Sequence, residues 1–369
     1  MSESLSISTA GLLQAASQQV SASKVLVGFD GFVDTILHVV DRRTSATEYT
    51  RLVEMKEYAS RIAAAAGLSA NFELVTQMVK LGGNGPIMAN ALGAVGFGTT
   101  YIGNLGSPNV HPIFGEFAKR NRVISIAEPG YTDAVEFNDG KLMCGKHESL
   151  KEVNWANLVG HLSEEELVEI FQESALIALV NWTMLTQMTA IWTKLETQIA
   201  PRLEGEKRWL FFDLADPAKR TVEDIGVALK QISRFQKHFR VILGLNLQEG
   251  RQVGEVLGLG GVEETYEAVT GQAVAIREAL QVDTVVIHPT HFAAAADDRG
   301  GVHVVGPFTA QPKITTGAGD HFNAGFCLGR ILGLAVENSL QIGVATSGFY
   351  VRNASSPTLP ELVDFLRSL

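Results

Sequence analysis

The residues best suited to chemistry lie near the carboxyl end, in the run Thr315-Thr316-Gly317-Ala318-Gly319-Asp320-His321-Phe322-Asn323-Ala324-Gly325-Phe326. A glycine-rich turn opens there into an apolar helix that carries a carboxylate in its first turn. Glycines let the backbone approach a ligand closely, and the unpaired amides of a helix start attract anions. The amides of Gly317, Ala318 and Gly319 therefore read as an anion hole for phosphate. Asp320 would repel a phosphate that merely rested beside it. It makes sense if a substrate hydroxyl must lose a proton while attacking phosphorus, so the segment points to phosphoryl transfer with Asp320 as base. The plainer reading is that the glycines shape a loop and Asp320 favours the positive helix end.

Other polar residues fall at strand ends or glycine turns. Val25 to Asp34 ends in Asp30 and Asp34, where an open α/β sheet presents ligands. Gly82-Gly83-Asn84-Gly85 opens a helix of small residues, and alone reads as a turn. Asn246 followed by Glu249 is the pattern of a capping box. Asp213 also ends a strand, before Ala215-Asp216-Pro217, and is left outside the main site.

The elements that must hold these residues alternate. Lys24–Phe29, Thr99–Gly103, Leu176–Asn181, Arg208–Asp213, Arg240–Asn246 and Val282–His288 read as strands, each followed by a plausible helix. Runs that are apolar throughout, separated by helices, predict a parallel sheet covered on both faces. Residues 132–137 and 141–144 flank Asn138-Asp139-Gly140 as a hairpin, and Thr35–Val40 supplies a neighbouring strand. A helical pattern around Leu52–Ala66 and a segment Phe72–Leu81 follow that strand. With no repeat or linker, residues 1–369 read as a single α/β domain.

Composition narrows the class. The chain has 369 residues, 46% of them apolar, enough for a large core. A net charge of −10 and the lack of any long basic run argue against nucleic acid and anionic membranes as partners. Cys144 and Cys327 are far apart and lack metal-ligand spacing. The amino terminus has no basic stretch followed by an apolar core of the secretory kind, and the apolar stretch Leu176–Leu185 is too short to span a bilayer. A cytoplasmic enzyme is the expectation.

Thr315–Phe326, supported by the glycine turn at Gly82, resembles the signatures of the ribokinase-type (PfkB) carbohydrate kinases. The resemblance runs in order from about Lys24 to the terminus. It implies a ribokinase-like three-layer α/β/α fold with a mostly parallel central sheet and a small β-lid, here inserted at about 34–55 and 131–147. It implies transfer of the γ-phosphoryl group of ATP to a hydroxyl of a sugar or sugar-like substrate, with Asp320 as catalytic base. It assigns Asp34, with Asp30 as fallback, and Gly82, Gly83 and Asn84 to the sugar. Asn246, Glu249, Thr315, Thr316 and Asn323 fall to the nucleotide side, with Glu249 organising Mg2+ through water. A lid of this kind often joins two copies, which makes a homodimer through the lid an expectation.

The chain departs from that pattern in places. Ile87 replaces a usual Asn, and Ile314 stands where many members carry an Asp that helps bind a monovalent cation, so the resemblance does not carry over dependence on such a cation. His288-Pro289-Thr290-His291 replaces a Thr-x-Gly pattern near the nucleotide, and His321 follows the proposed base, where it would tune Asp320 if it faced it; the histidines stay unassigned. No Walker loop, His-Glu-x-x-His or Gly-x-Ser-x-Gly occurs. Two alternatives remain: a nucleoside or sugar-phosphate kinase on the same scaffold, and a non-catalytic sensor that kept the fold.

Overall fold

The computed structural model describes residues 2–369. Its strands are β1 Lys24–Phe29, β2 Phe32–Arg43, β3 Tyr49–Arg51, β4 Leu74–Gly82, β5 Gly98–Gly103, β6 Arg122–Ser125 and β7 Gly130–Phe137. They continue with β8 Gly140–Lys146, β9 Ser174–Leu179, β10 Trp209–Asp213, β11 Arg240–Asn246, β12 Thr284–His288, β13 Phe292–Asp297 and β14 Gly300–Val305. Nine form one sheet in the order β14-β13-β12-β11-β10-β9-β1-β5-β6. All neighbours from β6 to β12 are parallel, and β13 and β14 finish one edge antiparallel. The six alternating segments read as strands from sequence are all in this sheet; β6, β13 and β14 were not among them.

The strands are apolar throughout because both faces are covered. Successive residues point to opposite faces, so Leu26 of β1 joins one buried cluster while Val25 and Val27 join another. In β10, Leu210 and Phe212 face the first cluster and Phe211 the second. Helical residues such as Trp192 and Leu229 close the first, and Leu92, Phe326 and Leu340 the second, giving three layers.

A second sheet has the order β3-β2-β7-β8, with β4 also paired to β2. Hairpin β7–β8 turns between Phe137 and Gly140 as expected. The first excursion does not end at residue 55: the helix Met55–Ala64 and β4 carry it to Gly82. Strand β4 satisfies the edge of β2 from Phe32↔Gly82 to Val39↔Leu74, an edge that would otherwise present unpaired amides and carbonyls. Leu37, Val39, Leu52, Val135 and Phe137 give this sheet its own small core. Among the described residues, no helix is long and apolar enough to cross a membrane.

Candidate active site

Strand β1 delivers Asp30 to the carboxyl edge of the main sheet, wholly buried. Its oxygens accept hydrogen bonds from the Asn84 amide (2.9 Å), the Gly85 amide (2.8 Å) and Asn181 Nδ2 (2.7 Å). Asn84 and Gly85 begin the helix Asn84–Val95, so Asp30 caps that helix from another strand. The fallback sugar ligand is thus engaged with protein. Burial pushes its carboxyl up to about 6 despite these bonds. Gly83 (φ 101°) makes the turn from β4 into the helix, where a side chain would be strained and would press on Asp30.

Gly317 (φ 92°) makes the equivalent turn into the helix Ala318–Ile331. Two cavities meet at this turn. The smaller, about 360 Å³, is lined by Asp34, Gly83, Asn84, Asn181, Thr316, Gly317 and Asp320, with Phe32, Ile87, Thr132, Met143, His147, Met184 and Lys219 completing the wall. The larger, about 640 Å³, takes Asn246, His288, Thr315, Ala318 and Gly319, together with Pro307, Phe308, Phe322, Val344 and Val351. Thr316, expected beside the nucleotide with Thr315, lines the other cavity. Asp34 is buried in the small sheet, its carboxyl raised by burial and held down by Lys80 and Thr132. Gly82 lines neither cavity; a Cβ there would collide with the Asp34 carboxylate.

Asp320 is 8% exposed, and Asn84 Nδ2 donates to its Oδ1 at 3.0 Å. Burial pushes its carboxyl up to about 8; the Asn84 bond opposes the shift, while Asp30 and Glu249 add to it. Glu249 lies on the helix Leu247–Val256 in a complete capping box, its carboxylate accepting from the Asn246 amide at 2.8 Å and from the Asp216 amide at 2.9 Å. It borders neither cavity directly. Asp213, left outside the site by sequence reasoning, is buried at the end of β10 and held well above the usual range by burial and by the charges of Glu249 and Asp320. Asn323, expected near the nucleotide, is instead internal: its Nδ2 donates to Asp213 Oδ2 at 3.0 Å, and its buried Oδ1 has no partner.

Asp30, Asp213, Glu249 and Asp320 are thus a buried set of carboxyls whose side-chain hydrogen bonds come only from amides, among the described residues. Such a group suits a divalent cation. Among the described residues, no set of His, Cys, Asp and Glu forms a direct metal cage.

His321 faces away from Asp320. Its Nδ1 meets the Gly317 carbonyl at 2.7 Å, its Nε2 meets Ser356 Oγ at 2.8 Å, and the ring stacks on Tyr350. Burial pushes it down to about 4, so it stays neutral and braces the turn. His291 is exposed and packs on Phe308. Asn181 (φ 60°), Thr132, His147 and Lys219 were missed by sequence reasoning. Asn181 lies just past the end of β9, near the signal that marked Asp30; the other three depend on how the small sheet folds over.

The family described as prokaryotic ketohexokinase matches residues 9–368. A ketohexokinase of Haloferax volcanii is 32% identical over 350 residues, 94% of this chain and 92% of that one. Among solved structures, a ribokinase of Arabidopsis thaliana complexed with ribose and ATP superposes with TM-score 0.64 at 16% identity, over 94% of this chain and 99% of that one. A ribokinase of Thermotoga maritima gives TM-score 0.60 at 18% identity, over 94% and 99%. These two show the shared fold. The chain belongs to the prokaryotic ketohexokinase family, carbohydrate kinases of the ribokinase (PfkB) type.

Proposed function

We propose that this ATP-dependent sugar kinase phosphorylates a ketohexose, with the sugar in the smaller cavity, the nucleotide in the larger and Asp320 as the base. The observation that carries the reading is the common wall: Thr315, Ala318 and Gly319 face one cavity, Thr316, Gly317 and Asp320 the other. In-line transfer needs donor and acceptor to meet across such a turn of anion-binding amides. The ketohexose is inferred from the name borne by the Haloferax volcanii relative and by the family.

Asp34, Asn84 and Asn181 would hold sugar hydroxyls, with Gly83 allowing close approach. Asp320 takes the proton of the attacking hydroxyl, and the Gly317, Ala318 and Gly319 amides stabilise charge on the transferred group. The transition state is loose, so positioning and field matter more than base strength. Asn246 and Thr315 would contact the nucleotide. Glu249 and Asp213 would hold the waters of a magnesium ion, whose chemistry there is to neutralise phosphate charge. Ile314 supplies no carboxylate for a monovalent cation. Residues 32–82 and 130–146 would form the lid of a single α/β unit, and exposed Met78, Val79 and Leu142 on its strands would meet a second copy. The family match does not favour the nucleoside, sugar-phosphate or sensor readings. Lys219 is the one Lys or Arg lining the smaller cavity.

The test is nucleotide turnover with magnesium across ketoses, aldoses, sugar acids and nucleosides. Turnover with D-fructose above all others is expected. Preference for a nucleoside, or binding of a sugar without turnover, would overturn the reading.

A further inference from the structure

We propose that Tyr350 and His321 are positioning residues: they hold the two peptide planes of Gly317 so that its amide stays aimed at the phosphoryl group in transfer. This rests on the reading that the turn before Asp320 receives that group. Gly317 (φ 92°) is the softest point of the turn, because a residue without Cβ takes up this conformation and leaves it with equal ease. Thr316 and Gly317 line the smaller cavity, and among the described residues no acceptor bonds the Gly317 amide. The direction of that amide is therefore set from behind.

The first plane is held by Tyr350, on the helix Val336–Asn353, whose hydroxyl donates to the Thr316 carbonyl at 2.9 Å. The Thr316–Gly317 bond is trans, so this carbonyl and the Gly317 N–H point to opposite sides, and fixing one aims the other. Burial and the charge of Asp320 push the Tyr350 hydroxyl up to about 12, so it keeps the proton it donates. The second plane is held by His321. Its Nδ1 meets the Gly317 carbonyl at 2.7 Å, and a carbonyl only accepts, so Nδ1 carries the proton. The neutral ring then accepts at Nε2 from the Ser356 hydroxyl at 2.8 Å, and Ser356 Oγ accepts in turn from Asn90 Nδ2 at 3.0 Å. Every group in this chain of bonds meets a partner of the opposite kind, which fixes both the tautomer and the ring. The two rings also stack, centres 3.6 Å apart and planes 14° from parallel, so each braces the other.

The experiment is steady-state kinetics with ATP and D-fructose for Tyr350→Phe, His321→Asn and His321→Leu, with Tm measured alongside. Tyr350→Phe keeps the stacked ring and removes only the donor. Its kcat should fall by about 10-fold or more, with both KM values within about twofold, because a misaimed amide is missed most by the charge of the transition state. His321→Asn keeps an N–H near the Nδ1 position and should retain most of kcat; His321→Leu should lose as much as Tyr350→Phe. An unchanged kcat in Tyr350→Phe, a loss confined to KM, or equal losses in His321→Asn and His321→Leu would each overturn the proposal. Asp320→Asn separates the two readings. If it turns over nearly normally, the assignment of the turn itself falls; if it is inactive while Tyr350→Phe is unchanged, only the bracing falls.

Discussion

Asn84 and Asp320 stand 236 positions apart in sequence and are joined by a hydrogen bond of 3.0 Å. One begins the helix after the first glycine turn, the other lies in the first turn of the helix after the last. The side chain expected to bind a sugar hydroxyl therefore also orients the proposed base, and both line the smaller cavity.

Asp320→Asn keeps the shape and removes the base. Its kcat should fall by about 10²–10⁴, with ATP affinity changed by no more than a few-fold. Steady-state kinetics and calorimetric titration check both halves. Near-normal turnover would remove Asp320 from proton transfer.

The base must be ionised to act, and burial pushes Asp320 up to about 8 before substrates bind. kcat/KM should therefore rise with pH through the neutral range. Asn84→Ala deletes a bond that favours the ionised form, so the acid limb should move to higher pH. A pH–rate profile in which the limb stays fixed would detach the two residues.

The same carboxyl has consequences for stability. Its folded value of about 8 exceeds the unfolded 3.8, so between those values the folded chain holds a proton that the unfolded chain has released. Stability from this group is complete below about pH 4 and is lost as pH rises toward 8. Asp320→Asn should raise Tm by a few degrees at pH 8 and by less near pH 4, as read by calorimetry at both pH values. A variant less stable than wild type at pH 8 would contradict the buried-charge account.

Asp34→Ala should raise ketohexose KM by about 10-fold while kcat changes little, because a lost hydroxyl contact weakens ground and transition states alike. Initial rates against sugar concentration decide it. An unchanged KM for every sugar tried would rule out the contact.

Glu249→Gln preserves one acceptor for the capping box but removes a charge. The magnesium concentration giving half-maximal rate should rise several-fold, with Tm lowered by no more than a few degrees. A magnesium titration at saturating ATP measures it. An unaltered magnesium requirement would leave Glu249 with its cap alone.

Much of this was legible because each signal was local. The β-branched runs of β1, β9, β10 and β11, and the glycine turns at Gly83 and Gly317, carry their conformations in their own residues. β13 was not legible: Ala293–Ala296 is buried yet lacks the branched and aromatic side chains that mark strands. Asp213 looked like an ordinary turn residue until Asn323 and Glu249 came beside it from distant segments. The resemblance put Asp34 ahead of Asp30, and the direction of each side chain, one under a helix and the other along a cavity, now separates them.

The two ends of the first lid excursion have a mechanical consequence. Between β1 and β2 lie only Asp30 and Gly31, and between β4 and its helix only Gly83, so both junctions meet beside one carboxylate. A lid that swung over a sugar would pivot about Asp30, which accepts from the backbone amide of Asn84, and the Asn84 side chain in turn donates to Asp320. Capturing the substrate and aligning the base would then be one movement, and an open lid would leave the nucleotide beside a base out of line for water.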